Sequence, residues 1–295
     1  MKPAPFRHAA PRSLDEALAL MRRYGAEGKA LAGGQSLVPL LSMRLARPGV
    51  LVDLNRVRAL DYIKNGTGAK NGREVRIGAM TRQRTAELSP VVREQLPLLA
   101  EALRYVGHPQ IRNRGTVGGS IAHADPSAEL PAVLSVLGGS VVLQSARATR
   151  TLKTDAFFLS YLTTAMAEDE LLVEIRLPAH AGRGTAFMEV ARRHGDFALA
   201  GVAVVMETAN ARARSVRMAF TGVGPVPVRV EEAEIAVTDR PLTAAVFAEA
   251  GRIVAARLEP DSDIHATAEY RKAVAGTLAE RALHLAATRA GGATV

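Results

Sequence analysis

The 295-residue sequence contains no cysteine and no tryptophan, and only 4% of its residues are aromatic. Without cysteine the chain can form no disulfide, no thiolate zinc site and no cysteine-ligated iron–sulfur cluster, and it offers no cysteine nucleophile. If electrons reach this chain through iron–sulfur centres, another subunit must carry those centres.

Long uncharged apolar runs are absent as well. No stretch is long enough to span a bilayer, and the N-terminal stretch lacks the apolar core of a signal peptide. The hydrophobic fraction of 48% and the charged fraction of 23% are typical of a soluble globular protein. We therefore expect a cytoplasmic protein that is long enough for two domains, each with its own core.

Basic residues outnumber acidic ones and give a net charge of +9, which would suit nucleic acid. However, the lysines and arginines are scattered along the chain, and few aromatic side chains are available to stack on bases. An acidic partner explains the positive excess equally well. We predict no nucleic-acid partner, and a basic nucleic-acid-binding or assembly module remains the less favoured alternative.

Several catalytic and nucleotide-binding motifs are missing. There is no GxGxxG and no P-loop, and the segment around Ser36 fails the nucleophile-elbow pattern because Val38 replaces its last glycine. The histidines never pair at the spacing of metal ligands. Four of them are expected on the surface: His8, His180, His265 and His284. The sequence predicts no metal site and no catalytic residue.

Two glycine-rich segments dominate what is present. The first glycine loop, residues 32–37, lies between a short strand and an apolar helix, and the second glycine loop, residues 116–120, precedes a run of small and polar residues. Glycine permits close approach of the backbone, and N–H groups in such turns form a donor site for phosphate. We expect a nucleotide cofactor between the loops, with Asp125 and Glu129 accepting hydrogen bonds from its hydroxyls.

The remaining patterns predict an α+β fold. Ser13 and Glu16 indicate the start of a helix that ends at Gly25, and Pro97 divides a second helical stretch. Residues 65–68 suggest a turn between strands, and residues 178–184 a linker between domains. Behind that linker we expect three strands, the middle one central, and two helices. The expected elements there are residues 185–190, 198–207, 215–222, 244–258 and 267–288.

The strings AGGQSLVPLL and TVGGSIAHADPSAELPAVL, taken together, resemble the FAD-binding medium subunits of the molybdenum hydroxylases. The family includes the carbon monoxide dehydrogenase flavoprotein and the flavin domain of xanthine dehydrogenase, and the resemblance covers nearly the whole chain. It implies a vanillyl-alcohol-oxidase-type FAD-binding region of two subdomains plus a C-terminal α+β domain. The corresponding boundaries are residues 1–57, 58–177 and 178–295.

The resemblance also implies contacts with a non-covalently bound FAD. The first glycine loop would bind the pyrophosphate through Ala32, Gly33, Gly34, Gln35, Ser36 and Leu37. The second would do so through Thr116, Gly118, Gly119 and Ser120. Asp125 and Glu129 would take cofactor hydroxyls, Asp196 or Phe197 would touch the flavin ring, and Arg112 or Arg114 would stabilise the charge of reduced flavin. The stretch 266–271 also resembles the family, without a chemical role.

The implied function is electron transfer within a complex, for which no catalytic acid, base or nucleophile need come from this chain. Electrons would pass from the molybdenum centre of a large subunit through two [2Fe–2S] clusters of a small subunit to the FAD, and then to an external acceptor. A dimer of heterotrimers is expected, in the cytoplasm or at the inner membrane face through partners. A stand-alone flavin oxidase is the main alternative, although no base for its chemistry is evident. Carbon monoxide, an aldehyde, a purine or an N-heteroaromatic compound remain open as substrates.

Overall fold

The structure is a computed structural model that describes residues 2–67 and 73–291. The turn predicted at residues 65–68 is wrong for its first three residues, because Asn65, Gly66 and Thr67 pair in a strand with Arg73, Glu74 and Val75. Gly68 lies outside the described residues. Strand pairing between the flanking segments therefore extends further than the polar sequence suggested.

The N-terminal part is a small three-stranded parallel sheet covered by a helix. The strand Val50–Asp53 lies between the other two strands. The apolar face of the first helix packs on this sheet through Ala17, Leu18 and Met21. The Ser13 side chain accepts a hydrogen bond from the Glu16 N–H, as the capping pattern predicted. The elements are β1 (Arg7–Ala9), α1 (Leu14–Tyr24), β2 (Gly28–Leu31), α2 (Leu37–Ser42) and β3 (Val50–Asp53), with 3-10 turns at Gly25–Glu27, Leu54–Arg56 and Arg58–Leu60.

The middle part is built on a five-stranded antiparallel sheet with short helices against it. The division at Pro97 is confirmed, because one helix ends at Gln95 and the next begins at Pro97. The elements are β4 (Ile63–Thr67), β5 (Arg73–Gly78), α3 (Gln83–Leu88), α4 (Pro90–Gln95), α5 (Pro97–Ala102), α6 (Pro109–Arg114), α7 (Val117–His123), α8 (Glu129–Val136), β6 (Ser140–Gln144), β7 (Thr149–Lys153), α9 (Thr154–Phe157), β8 (Phe158–Ser160), β9 (Thr163–Thr164) and β10 (Leu171–Pro178). The large sheet has the order β4-β5-β10-β6-β7, and β8 pairs with β9.

The C-terminal part is a four-stranded antiparallel sheet with three helices. The three predicted strands and two predicted helices are present, and the apolar strand is central as expected. The short strand after Pro227 and the helix that follows it were missed by the sequence analysis. The elements are β11 (Gly184–Val190), β12 (Ala200–Ala209), β13 (Arg212–Thr221), β14 (Val228–Arg229), α10 (Glu231–Val237), α11 (Ala244–Arg257) and α12 (Ala268–Arg289).

The segment between β10 and β11 is less of a free linker than its composition suggested. His180 was expected on the surface, but only 3% of it is exposed. Its ring Nε2 lies 3.0 Å from the carbonyl oxygen of Leu137, and its backbone N–H donates to the carbonyl of Gln95. Burial, the largest influence, lowers the pKa of His180 to about 4. The sequence analysis missed this burial because the Leu137 carbonyl beside the ring and the Gln95 carbonyl that accepts from the backbone N–H are both distant in the chain.

The middle and C-terminal parts share one apolar core. Phe187, Ala203 and Ala219 from the C-terminal sheet belong to the cluster formed mainly by the middle part. Glu101 of α5 strengthens the junction, since it accepts from the Phe187 N–H and pairs with Arg289 of α12 at 2.7 Å. This shared core fixes the C-terminal sheet against α5 and α8, and hence against the segment that follows the second glycine loop.

Candidate functional site

The first glycine loop offers unpaired backbone donors. It connects β2 to α2, and Gly34 has φ +75°, a conformation that favours glycine. The Gln35 side chain closes the turn by donating to the Gly33 carbonyl at 3.1 Å. Within the described part of the chain, no hydrogen bond is donated by the N–H groups of Gly33, Gly34, Gln35 or Ser36. A concave turn with several unpaired N–H groups can bind an anionic oxygen.

The second glycine loop is built differently, since its backbone donors are already used. The Val117 N–H donates to the Thr81 carbonyl at 2.9 Å, and the Gly118 N–H donates to the Ala79 carbonyl at 3.0 Å. The Gly119 N–H donates to the Thr116 hydroxyl at 3.0 Å. The Ser120 N–H donates to the Thr116 carbonyl at 3.2 Å. This loop therefore offers close backbone approach and the Ser120 hydroxyl, whereas Thr116 supports the start of α7.

The two glycine loops touch each other. A Cβ added to Gly33 would collide with the Arg114 carbonyl oxygen and would lie 2.7 Å from Gly115 Cα. A Cβ added to Gly119 would lie 3.3 Å from the Cβ of Ala32 and 2.6 Å from the Thr116 hydroxyl oxygen. Glycine at both positions is thus what allows the two segments to approach this closely.

A polar bridge joins the loops and was not predicted. The Asn55 side-chain amide donates to the Ala32 carbonyl at 2.9 Å. Arg82 donates to Asn55 Oδ1 at 2.7 Å and also to the Arg114 carbonyl. Burial, and then the charge of Arg114, lowers the pKa of Arg82. Asn55 follows β3, whose carboxyl end lies beside that of the parallel strand β2, so strand pairing could have indicated it, but no sequence signal indicated Arg82.

The first glycine loop, Asn55 and Arg114 line an open cleft of about 430 Å³. Its walls include both polar and apolar groups: Leu31, Ala32, Gly33, Gly34, Gln35, Val38, Pro39, Asp53, Asn55, Ile111 and Arg114. Of the two arginines expected near a reduced flavin, only Arg114 lines the cleft. Arg112 is buried, pairs with Glu87 at 2.9 Å and donates to the Val106 and Gly107 carbonyls. Arg112 is therefore committed to holding the chain before α6.

Asp125 lies between α7 and α8, and Glu129 is the first residue of α8, beside the C-terminal sheet. Asp125 Oδ1 accepts from the Ser127 N–H at 2.9 Å. Glu129 is 6% exposed, and its burial raises the pKa of this carboxyl to about 7, with the Asp125 charge adding to the effect. Burial and then the charge of Glu129 raise the pKa of Glu189 to about 8. The sequence analysis missed Glu189, because only the folding of β11 brings it to Glu129.

Residues 193–197 form the exposed turn before β12. A Cβ on Gly195 would lie 2.6 Å from the ring of His108, the residue before α6. The turn therefore rests against the start of the helix whose end lines the cleft. Asp196 is exposed, and Phe197 is 65% exposed. Neither of the two is among the residues that line the cleft.

A metal centre has no structural support among residues 2–67 and 73–291. No group of three or more histidine, aspartate or glutamate side chains in these ranges lies close enough to hold a metal ion. In the same ranges, no helix combines the length and the apolar character needed to cross a membrane. The site is thus a cleft of backbone donors and polar groups that is also lined by one guanidinium, that of Arg114, and one carboxylate, that of Asp53.

Such a cleft is suited to the phosphates of a nucleotide, and comparison with known proteins gives the family. Residues 4–180 match the FAD binding domain in molybdopterin dehydrogenase, and residues 185–286 match the CO dehydrogenase flavoprotein C-terminal domain. The chain belongs to this family of FAD-binding medium subunits of molybdenum hydroxylases, which are oxidoreductases. The resemblance inferred from the two glycine strings, the fold class and the FAD cofactor are confirmed.

Individual relatives span the whole chain. The carbon monoxide dehydrogenase medium chain of Hydrogenophaga pseudoflava is 39% identical, with 98% of this chain and 99% of the relative covered. The 6-hydroxypseudooxynicotine dehydrogenase complex subunit alpha of Paenarthrobacter nicotinovorans is also 39% identical, with 98% of this chain and 97% of the relative covered. A solved structure of the Hydrogenophaga pseudoflava carbon monoxide dehydrogenase, which lacks the Mo-pyranopterin moiety of its molybdenum cofactor, matches with a TM-score of 0.93 at 40% identity, covering 98% of this chain and 99% of the other.

Proposed function

We propose that this chain holds FAD without a covalent bond and transfers electrons from the [2Fe–2S] clusters of a partner subunit to an external acceptor. The observation that supports this proposal is the set of unpaired N–H groups at residues 33–36, which lie beside a cleft that Ile111 and Arg114 of α6 also line. The bound flavin supplies the redox chemistry, and the protein supplies binding, orientation and electrostatics.

The first glycine loop, from Ala32 to Leu37, binds the pyrophosphate in this proposal. Its backbone N–H groups donate to phosphate oxygens, and the Ser36 hydroxyl adds a further hydrogen bond. In the second loop, Gly118 and Gly119 let the cofactor approach the backbone closely, and Thr116 keeps α7 in place through its hydrogen bond to Gly119. Ser120 contributes a hydroxyl.

The remaining contacts concern the sugar chain and the ring. Asp125 and Glu129 accept hydrogen bonds from cofactor hydroxyls, and Asp196 or Phe197 contacts the flavin ring from the turn before β12. Arg114 provides positive charge that stabilises the reduced cofactor. None of these roles requires a catalytic acid, base or nucleophile, which distinguishes the proposal from a stand-alone flavin oxidase.

We also propose that the chain assembles with a large molybdopterin-binding subunit and a small [2Fe–2S] subunit as a dimer of heterotrimers, in the cytoplasm or at the inner membrane face. Both curated relatives carry the word chain or subunit in names that refer to larger enzymes. Co-expression of the neighbouring subunits followed by light scattering tests the assembly, and cell fractionation tests the location. A chain that stays monomeric beside both partners contradicts this part.

The large subunit, in this proposal, chooses the substrate. The two curated relatives share 39% identity with this chain, yet one is named for carbon monoxide and the other for 6-hydroxypseudooxynicotine. Carbon monoxide is therefore one candidate among several for the complex that contains this chain. Activity assays of the assembled complex with carbon monoxide, aldehydes, purines and N-heteroaromatic compounds identify the substrate.

The domain boundaries at residues 57/58 and 177/178 remain part of the proposal. The first separates the parallel sheet from the large antiparallel sheet, and the second falls within β10, one residue before its end. Limited proteolysis with mass spectrometry checks them. Cleavage concentrated near residues 181–183, where exposed backbone follows β10, supports a C-terminal unit that begins there.

The function is tested by incubating the purified chain with FAD, desalting it and recording its visible spectrum, with the released flavin identified by chromatography. The proposal predicts retained, releasable FAD and little oxygen consumption with candidate substrates when the partners are absent. Rapid substrate-dependent oxygen consumption by the chain alone would favour the oxidase. A folded chain that takes up no FAD, alone or with its partners, contradicts both flavin functions.

A further inference from the structure

Arg271, in the first turn of α12, is a buried arginine that the proposed function does not use. Only 6% of it is exposed. Its Nη1 donates to the carbonyl oxygens of Leu199 at 2.5 Å and Gly222 at 2.9 Å, and its Nη2 pairs with Asp263 at 2.7 Å. Its Nε is buried without a partner among the described residues. Burying a guanidinium group costs desolvation free energy, which its ion pair and hydrogen bonds must offset.

The two carbonyls that Arg271 holds lie at one corner of the C-terminal sheet. Leu199 precedes β12 and follows Phe197 by two positions, whereas Gly222 directly follows β13. Gly222 has φ +75°, and a Cβ there would lie 2.9 Å from the Ala198 carbonyl oxygen. Only glycine lets the two chain segments come this close, and Arg271 then joins them through a single guanidinium group.

The same corner contacts the segment between Asp125 and Glu129. The Gly222 N–H donates to the Pro126 carbonyl at 2.8 Å. The Thr221 hydroxyl lies 2.8 Å from both the Pro126 and the Ala128 carbonyl oxygens. The corner therefore connects the exposed turn that carries Phe197 with the segment that follows the second glycine loop.

The Asp263 partner of Arg271 is an unusually acidic carboxyl. The N–H groups of Ala266 and His265, followed by Arg271, lower the pKa of Asp263 to about 2. Asp263 therefore stays ionised, and it orders the loop before α12 as well as neutralising the arginine. The pairing of Arg271 with Asp263 therefore does not act as a pH-dependent switch.

We propose that Arg271 is a positioning residue for the flavin ring, because it fixes residues 193–199 relative to residues 125–129. The proposal rests on the proposed function, since those two segments supply the expected ring and hydroxyl contacts. It also gives a role to the stretch 266–271, which had family resemblance but no chemistry. The hydrogen bonds of Arg271 go to Leu199, Gly222 and Asp263 and not to the glycine loops in the described chain, so its loss should alter the ring environment more than cofactor retention.

The test uses the full chain loaded with FAD and compares R271K, R271Q and D263N with R257Q. Arg257 pairs with Glu232 at 2.7 Å on the exposed side of α11 and serves as the matched control. For the Arg271 and Asp263 variants we expect FAD affinity within about twofold of the unaltered chain, as for distant sites. We also expect a changed visible circular dichroism spectrum and a shifted flavin midpoint potential, with R271K closest to the unaltered chain.

A thermodynamic cycle with F197A keeps the proposal falsifiable if R271Q folds poorly. If Arg271 acts through the 193–199 segment, the spectral and potential shifts of R271K and F197A will be non-additive. Lower melting temperatures with unchanged flavin spectra and potentials, or strictly additive shifts, would overturn the positioning role and leave a purely structural one. Failure of the unaltered chain to bind FAD would instead refute the proposed function, and the two failures are therefore distinguishable.

Discussion

Arg82 donates a hydrogen bond to Asn55 Oδ1 at 2.7 Å, and this contact links the two glycine loops. Asn55 holds the Ala32 carbonyl of the first loop, and Arg82 holds the Arg114 carbonyl just before the second. These contacts within the protein therefore set the spacing between the two loops. Preorganisation of this kind reduces the ordering cost of binding.

Asn55→Ala is expected to weaken FAD binding by roughly five- to thirtyfold, because the Ala32 carbonyl and the Arg82 guanidinium lose hydrogen bonds that are together worth about 1–2 kcal/mol. Fluorescence titration of the purified chain with FAD measures the change. Asn113→Ala, in an exposed position of α6, is the matched control and should bind like the unaltered chain. Equal affinities for the two variants would refute the bridge.

Arg114→Gln is expected to leave most FAD binding intact and to make the flavin midpoint potential more negative by about 20–40 mV, the equivalent of roughly 1–2 kcal/mol for two electrons. The reason is that reduced flavin loses a nearby positive charge that the oxidised form needs less. Spectroelectrochemical titration measures the potential. Arg252→Gln, exposed on α11, controls for the general loss of charge, and identical potentials in both variants would exclude Arg114.

Glu189→Gln is expected to stabilise the chain at high pH. The pKa of Glu189 is raised from 4.5 to about 8 and that of Glu129 from 4.5 to about 7. Their contribution to folding is therefore fully present below about pH 4.5 and is lost as the pH rises through 7 to 8.

The variant and the unaltered chain should thus melt alike near pH 5, whereas near pH 9 the variant should be more stable by roughly 1–3 kcal/mol. Thermal melts across this range check the prediction. Glu94→Gln, exposed in α4, should show no such pH dependence relative to the unaltered chain. A Glu189→Gln curve parallel to that of the unaltered chain would mean that the carboxyl ionises normally.

Local sequence signals predicted much of the fold. Ser13 with Glu16 located a helix start, Pro97 located a helix boundary, and the apolar run of β12 located a central strand. In each case the information lies within a few residues of the chain. The two glycine-rich strings located both loops, because a close approach between two backbone segments requires glycine and the glycines can be seen directly in the sequence.

Tertiary contacts account for what the sequence did not reveal. The burial of His180 depends on the Leu137 carbonyl, and the role of Arg82 depends on the Arg114 carbonyl, each distant along the chain. The second loop looks like a phosphate cradle in sequence, yet the Ala79 and Thr81 carbonyls use two of its N–H groups. Tertiary packing decides which backbone N–H groups stay unpaired, and the pattern of residues along the sequence does not reveal this.

The central claim is that FAD binds where the two glycine loops meet, and Gly33→Ala tests it most directly. Its methyl group would be forced against the backbone of Arg114 and Gly115, whereas the methyl group of Gly49→Ala would meet only ordinary contacts, the nearest at 3.6 Å. We predict that Gly33→Ala, folded by circular dichroism, loses FAD on desalting while Gly49→Ala retains it. A folded Gly33→Ala chain that retains FAD with unchanged affinity would contradict the proposed site.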